Sequence, residues 1–110
     1  MSAYVYILAN HGHRSLYVGV TSDLERRIAE HKAHTFPGFS ARYNIVNLVW
    51  FSECADIRTA IEQEKKIKNR GRVWKNKLIE SANPEWLDLS EALRDPAIPL
   101  RGPQDDGSGD

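Results

Sequence analysis

Residues 4–31 read YVYILANHGHRSLYVGVTSDLERRIAEH, and this stretch decides the fold. Side chains have a period of two at its start and again around Tyr17, which is the pattern of two strands: Tyr4, Tyr6 and Leu8 share one face opposite Val5 and Ile7, and Leu16, Val18 and Val20 lie opposite Tyr17 and Gly19. Residues 10–15 between them are mostly turn-forming types, so the pattern predicts a β-hairpin that brings Tyr6 and Tyr17 onto one surface. A glycine at position 19, on the same strand face as an aromatic residue, indicates that something approaches the backbone closely at Gly19.

A helix is predicted directly after this hairpin. Ser22 and Glu25 have the spacing of a capping box, in which each side chain satisfies a backbone amide at the start of a helix. The helix is expected to run to about His34. Within it Arg27 and His31 are four residues apart and therefore share one stripe, which would point them together towards the tyrosines.

The rest of the chain predicts one more strand and two more helices. Residues 45–51 are almost continuously apolar, which favours a strand covered on both faces and hence central in a small sheet. Residues 56–69 have helical periodicity, and Gly71 separates them from a third helix. The apolar stripe of that third helix is expected to be Trp74, Leu78 and Ile79. The fold class predicted is α+β, a small three-stranded antiparallel sheet flanked by helices.

Charge is unevenly distributed although the formal net charge of the 110 residues is zero. Residues 1–79 contain 13 lysines and arginines against seven acidic residues, whereas residues 80–110 contain two against eight. A basic body is expected of a nucleic-acid-binding protein, although neutral proteins also segregate charge. The prolines, glycines and aspartates from residue 96 onward predict a disordered acidic tail, which leaves residues 1–95 as one domain.

Glu64 lies on the apolar side of the second predicted helix, near the positions of Ile57 and Ile61. A carboxylate in that position is costly to remove from water unless it is paired or binds a metal ion. Two interpretations are therefore open. Glu64 either forms a buried ion pair with Arg27 or another cation, or it is a metal ligand.

Seven basic residues and no acidic one follow Glu64 over residues 65–77. Such a run is often only a solvated helix face, but its density also predicts contact with phosphates. The loop of residues 35–43 holds three aromatic residues and Arg42, which would either stack on bases or tuck into the edge of the core.

The single cysteine, Cys54, excludes an internal disulfide and a cysteine-based zinc site, and it is expected to be a small buried residue. The start of the chain lacks the features of a signal peptide, and no apolar run approaches the roughly 20 residues of a membrane span. A cytoplasmic protein without membrane contact is the expectation.

The two tripeptides Tyr4-Val5-Tyr6 and Tyr17-Val18-Gly19 resemble the signatures of the GIY-YIG nuclease superfamily. Tyr4 stands in place of the first glycine, and valine replaces each isoleucine. Residues 63–68, 74–79 and 83–89 are similar to the small stand-alone bacterial members. The resemblance spans about residues 3–90 and implies a three-stranded antiparallel sheet with flanking helices, in agreement with the periodicity.

The resemblance also implies the catalytic positions, which are Tyr6, Tyr17, Arg27, His31 and Glu64. Glu64 would bind a single Mg²⁺ or Mn²⁺, and Arg27 would neutralise charge on the phosphoryl oxygens. The general base stays open among Tyr6, Tyr17 and His31, and Tyr6 would serve only if cations lower its pKa. Val20 stands where some repair-type members carry a lysine, which favours His31 as the helper.

Candidate substrate-binding residues are one glycine, one asparagine and five cations: Gly19, Arg42, Lys68, Arg70, Arg72, Lys75 and Asn83. The function implied is a divalent-metal-dependent DNA endonuclease of low sequence specificity, with a weak preference for single-stranded, distorted or branched DNA and a role in repair, recombination or uptake. Exonuclease action, RNA cleavage and the oligomeric state remain open. The rival hypotheses are a catalytically silent nucleic-acid-binding or adaptor domain and a structural domain with basic helices.

Overall fold

Three strands and three helices make up most of residues 2–33 and 45–90, which are the residues described by the computed structural model. The strands are β1 (Ala3–Ala9), β2 (Leu16–Thr21) and β3 (Asn47–Cys54), and the helices are α1 (Leu24–Lys32), α2 (Ile57–Lys68) and α3 (Arg72–Ala82). All strand pairs are antiparallel, which confirms the α+β class. The loop with Arg42 and the tail expected from residue 96 lie outside the described residues.

The strand order in the sheet is β2-β1-β3, so the central strand is β1. The prediction that residues 45–51 form the central strand is therefore wrong, because β3 is an edge strand. Its continuous apolar run has a different cause. Four consecutive side chains of β3 are buried because both sheet faces are covered: Leu48, Val49, Trp50 and Phe51.

The outer edge of β3 is covered by side chains from the segment that follows α3. The amide Nδ2 of Asn83 donates to the backbone oxygen of Val49 at 3.0 Å, and Oδ1 of Asp88 accepts from the backbone N–H of Leu48 at 3.1 Å. An open strand edge offers unpaired backbone groups to other chains. These two polar side chains occupy part of that edge in place of another strand.

The two faces of the sheet carry separate apolar clusters. On one face Tyr6, Leu8 and Phe51 pack against Leu24 and Ile28 of α1. The opposite face is covered by α2 and α3, where Ala60, Ile67 and Ile79 pack against the strands. The alternation predicted for residues 4–20 is thus confirmed, and it places the tyrosines on the α1 face.

Helix α1 begins one residue later than the sequence pattern predicts. Its N-cap is Asp23, whose carboxylate accepts from the backbone N–H of Arg26 at 3.2 Å. The predicted capping box at Ser22 is wrong because the hydroxyl of Thr21 accepts from the N–H of Asp23 and sets the turn there. The helix ends at Lys32, short of the expected end at His34, which lies outside the described residues.

The β1–β2 turn is attached to the start of α3. Asn10 Oδ1 accepts from the N–H groups of Arg14 and Ser15, which closes the turn. The guanidinium of Arg72 donates to the backbone oxygens of Arg14, at 2.8 Å, and His13. Gly71 separates α2 from α3 as predicted. In the described part of the chain, no helix has the length and apolar character needed to cross a bilayer.

Candidate functional site

Tyr6 is the centre of the candidate site. It stands on the central strand, its side chain has no exposed surface, and its hydroxyl lies 3.1 Å from Nε2 of His31. His31 is itself 4% exposed, so this hydrogen-bonded pair is held in the interior between β1 and α1. The predicted stripe on α1 therefore does bring His31 to the tyrosines.

Gly19 is the cross-strand neighbour of Tyr6, and the phenol ring lies over it. A Cβ at position 19 would be 2.6 Å from both Cζ and the hydroxyl oxygen of Tyr6, and 3.0 Å from Cε2 of Tyr17. The expected close approach to Gly19 is real, and the approaching group is the site's own tyrosine. Gly19 is buried, so this contact corrects its expected role as a substrate contact.

Tyr17 completes a cluster of three rings. Its ring centroid lies 6.3 Å from that of Tyr6 and 5.3 Å from that of His31, with tilted planes in both pairs. Tyr17 is half-buried, whereas Tyr6 and His31 are buried. It is therefore the aromatic member of the cluster that reaches the surface.

Arg27 borders this cluster on the solvent side. Its side chain is 38% exposed, and its Nε lies 3.4 Å from a carboxylate oxygen of Glu30. Both its charge and a hydrogen bond to the phenol act to lower the pKa of Tyr6. Arg27 is thus positioned at the hydroxyl of Tyr6 as the helical spacing predicted.

Glu64 forms an ion pair with Lys68 on its own helix, at 2.9 Å, and its side chain is 19% exposed. The predicted apolar face of α2 is partly wrong, because Ile57 and Ile61 are 47% and 39% exposed while Ala60 and Ile67 enter the core. Glu64 therefore lies at the border of the buried stripe. Its charge reaches the phenol of Tyr6, since it is one of the causes that raise that pKa.

The protonation states of the buried pair follow from burial. Burial and the neighbouring Tyr17 raise the pKa of Tyr6 to about 12, because they outweigh the opposing effect of Arg27. Burial first, and the charge of Arg27 second, lower the pKa of His31. At neutral pH Tyr6 therefore keeps its proton and His31 is neutral, so cations do not lower the pKa of Tyr6 below its ordinary value as a general-base role required.

A divalent metal ion would find one hard ligand at this site. Among residues 2–33 and 45–90 there is no cluster of three or more histidine, cysteine, aspartate or glutamate side chains suited to a metal. Mg²⁺ is often held by one or two carboxylates together with water and substrate phosphates. The lone carboxylate of Glu64 fits that mode of binding, and Lys68 is the cation that balances its charge here.

The remaining predicted substrate-binding residues have different surroundings. Lys68 and Arg70 are exposed and Lys75 is half-buried, all on or beside the basic helices. Arg72 is exposed, but its guanidinium holds the β1–β2 turn. Asn83 is 4% exposed, and its amide bonds to Val49 and to both backbone groups of Leu87. Those bonds give Asn83 a structural role, which corrects the expected substrate contact.

Two residues of importance were missed in the sequence. Glu30 pairs with Arg27 and also with Arg26, and the i,i+3 and i,i+4 spacings were a readable signal for both pairs. Asp88 joins Lys32 of α1, at 2.6 Å, to the edge of β3. No local pattern indicates that contact, because the partners of Asp88 are far from it in the sequence.

Comparison with known proteins supports the assignment that this geometry suggests. The sequence model of the GIY-YIG catalytic domain matches residues 2–77, which is more than half of the chain and includes every predicted catalytic residue. The chain belongs to the GIY-YIG family. The match ends within α3, so Asn83 and Asp88 lie beyond the matched GIY-YIG region.

Individual relatives agree with this GIY-YIG assignment. A UPF0213 protein of Haloquadratum walsbyi is 41% identical over 78 residues, which cover 70% of this chain and 85% of the relative. A UPF0213 protein of Natronomonas pharaonis is 33% identical over 76 residues, covering 69% and 88%. The solution NMR structure of a UPF0213 protein from Bacillus halodurans is similar with a TM-score of 0.52 and 25% identity, covering 83% of this chain and 96% of that one. The chain is therefore similar to small stand-alone proteins that share its GIY-YIG fold.

Proposed function

We propose that this GIY-YIG protein is a divalent-metal-dependent DNA nuclease that hydrolyses phosphodiester bonds. One observation carries the proposal. The hydroxyl of Tyr6 lies 3.1 Å from Nε2 of His31, and the charges of Arg27 and Glu64 both affect the pKa of Tyr6. The five predicted catalytic residues come from both strands of the hairpin and from two helices on opposite sheet faces. A purely structural aromatic cluster would not need a cation beside its buried hydroxyl, and Arg27 is such a cation.

Each side chain has a chemical role that its environment supports. Arg27 offers a guanidinium, with 38% of its side chain exposed, to the charge that develops on the phosphoryl oxygens. Glu64 would hold Mg²⁺ or Mn²⁺. When bound, such an ion supplies Lewis acidity and neutralises one of the charges that raise the pKa of Tyr6.

Proton transfer is assigned to the buried pair. With its pKa at about 12, Tyr6 is ionised in only about one molecule in 10⁵ at pH 7, so phenolate is not a ready base. Neutral His31 is the member able to accept a proton, and in the tautomer with its hydrogen on Nδ1 its Nε2 accepts a hydrogen bond from the phenol of Tyr6. In this proposal His31 is the proton acceptor and Tyr6 the relay, which requires the attacking water to reach a phenol that has no exposed surface in this structure.

The test is cleavage of end-labelled single-stranded, duplex and branched DNA with Mg²⁺ or Mn²⁺. Glu64→Gln removes the charge of the proposed metal ligand at nearly constant volume, and we expect it to abolish cleavage. Glu62→Gln is the matched control, because Glu62 is exposed on the same helix two residues away. Equal activity of both variants would overturn the role of Glu64.

A second pair of variants tests the arginine. Arg27→Ala is expected to slow cleavage by about 10²- to 10³-fold, the usual effect of removing one group that stabilises a developing oxyanion. Arg26→Ala is the control, since Arg26 also pairs with Glu30 but its side chain is 75% exposed. DNA binding without cleavage by the wild-type protein, on all substrates and with both metals, would favour a silent nucleic-acid-binding domain instead.

A further inference from the structure

The three tryptophans of the chain have different surroundings, and one of them is exposed on a basic surface. Trp50 is 7% exposed in the core, and Trp86 stacks on His13 with its Nε1 donating to Glu80. Trp74 on α3 is 39% exposed, although the apolar pattern predicted that it would enter the core. A single exposed apolar residue is common at a protein surface, so the surroundings of this indole are what distinguish it.

Cations surround this indole. The guanidinium carbon of Arg70 lies 5.0 Å from the centroid of the Trp74 ring, within the range of a cation–π contact. Lys77 is exposed three residues further along α3, so helical spacing puts it one turn from Trp74 on the same side. We call Arg70, Trp74 and Lys77 the Trp74 platform. It lies within residues 65–77, which contain seven basic residues and no acidic one.

The platform follows α2, the helix that carries Glu64, along the chain. Glu64 is six residues before Arg70, and a rise of 1.5 Å per residue puts the end of α2 within roughly 10 Å of Glu64 along the axis. Arg72 also ties the start of α3 to the turn that leads into Tyr17. Arg70 follows the end of α2 directly and contacts Trp74, so the platform begins within two residues of the helix that carries Glu64.

We infer that the Trp74 platform binds unpaired bases of a DNA strand, with one base stacked on the indole and the adjacent phosphates near Arg70 and Lys77. The positive charge around the ring matches phosphate, and the exposed indole matches the flat face of a base. In a duplex, base faces are covered by their neighbours, so this contact requires an unpaired base. The inference rests on the proposed function and narrows its substrate to single-stranded or locally unpaired DNA.

The test measures the binding of a fluorescein-labelled single-stranded oligodeoxynucleotide by anisotropy, with Glu64→Gln present in every protein to prevent cleavage. Trp74→Ala is expected to raise the Kd between about 5-fold and about 150-fold, the range for loss of one base–aromatic stack. Trp74→Phe should recover most of this loss. Leu87→Ala is the control for truncating an exposed apolar residue, because Leu87 is 58% exposed and lies outside the basic run.

Two further DNA probes distinguish base stacking from contact with the phosphate backbone alone. The effect of Trp74→Ala should fall below about 3-fold with a duplex of the same length, and it should vanish with an oligonucleotide of abasic sites. An equal effect on the abasic strand, or no effect on the single strand, would overturn the inference. A dimer seen by light scattering in the wild-type protein and lost in Trp74→Ala would also overturn it, because the ring would then contact a second copy.

The outcome is separable from that of the proposed nuclease activity. If the wild-type protein cleaves DNA and Trp74→Ala leaves single-strand affinity unchanged, the platform is refuted and the nuclease stands. If the wild-type protein cleaves nothing but Trp74→Ala weakens single-strand binding, the platform stands and the nuclease is refuted.

Discussion

Alanine at position 19 should disturb the candidate site although the substitution removes none of the site's polar groups. The added Cβ would be 2.6 Å from Cζ and the hydroxyl oxygen of Tyr6, whereas ordinary contacts of such atoms are about 3.5–4.0 Å. The phenol must therefore move by about 1 Å. Tyr6 has no exposed surface, so this movement displaces packed neighbours, among them Leu24 and Ile28 of α1.

The change in the free energy of unfolding caused by Gly19→Ala has two parts of opposite sign. Overpacking of a buried site costs about 1–3 kcal/mol, and replacing glycine within a strand returns roughly 0.5–1 kcal/mol through lower chain entropy. We expect Gly19→Ala to lower the free energy of unfolding by roughly 1–2 kcal/mol. A 1 Å shift also disturbs the 3.1 Å hydrogen bond between Tyr6 and His31, and cleavage should fall by about 100-fold.

Urea denaturation and DNA cleavage of the same preparations provide the measurement. Gly12→Ala is the matched control, because a Cβ there would meet nothing closer than Cγ of Arg14 at 3.8 Å, an ordinary contact. Its stability should stay within about 0.5 kcal/mol of wild type. A Gly19→Ala protein as stable as Gly12→Ala would refute the packing argument, and full cleavage in it would refute the dependence on the Tyr6 position.

Three further predictions concern the contacts that hold the site. Burial raises the pKa of Asp88, but hydrogen bonds from Lys32 and Ser90 outweigh it and hold that pKa below its ordinary value. The stability that Asp88 contributes is therefore present above about pH 4 and is lost as the pH falls further. Asp88→Asn should lower the free energy of unfolding by about 1–2 kcal/mol at pH 7. In urea titrations below about pH 4, the variant should lose less stability than wild type. Burial lowers the pKa of His31, so the stability that goes with its neutral form is present above about pH 6.5 and is lost as the pH falls below that value. Wild type should therefore lose more stability between pH 7.5 and pH 5.5 than His31→Asn does. Equal losses in the two proteins would contradict this prediction. Asn83→Ala should cost about 1–3 kcal/mol by leaving the buried oxygen of Val49 unpaired, and unchanged thermal unfolding would show that this bond is dispensable.

Local patterns in the sequence were sufficient for most of the elements and for bringing Tyr6, Tyr17 and His31 together. Alternation over residues 4–20 determines which side chains share a strand face, because successive residues of a strand point to opposite sides. The four-residue spacing of Arg27 and His31 determines that both lie on one side of α1, and Gly71 marks the break between α2 and α3. The two signature tripeptides, which lie on β1 and β2, then indicated the GIY-YIG family.

Only the tertiary structure decided how the elements are ordered and what fills the space between them. Periodicity reports burial but not strand order, so the run in β3 was compatible with a central strand as well as with a covered edge. The pattern at Gly19 indicated a close contact without naming Tyr6, and the Asn83 side chain was equally compatible with substrate or with Val49. In each case the partner lies on another element of the fold. The spacing of residues along the chain does not tell which elements come into contact, so it cannot identify the hydrogen-bond partners and packing neighbours of these side chains.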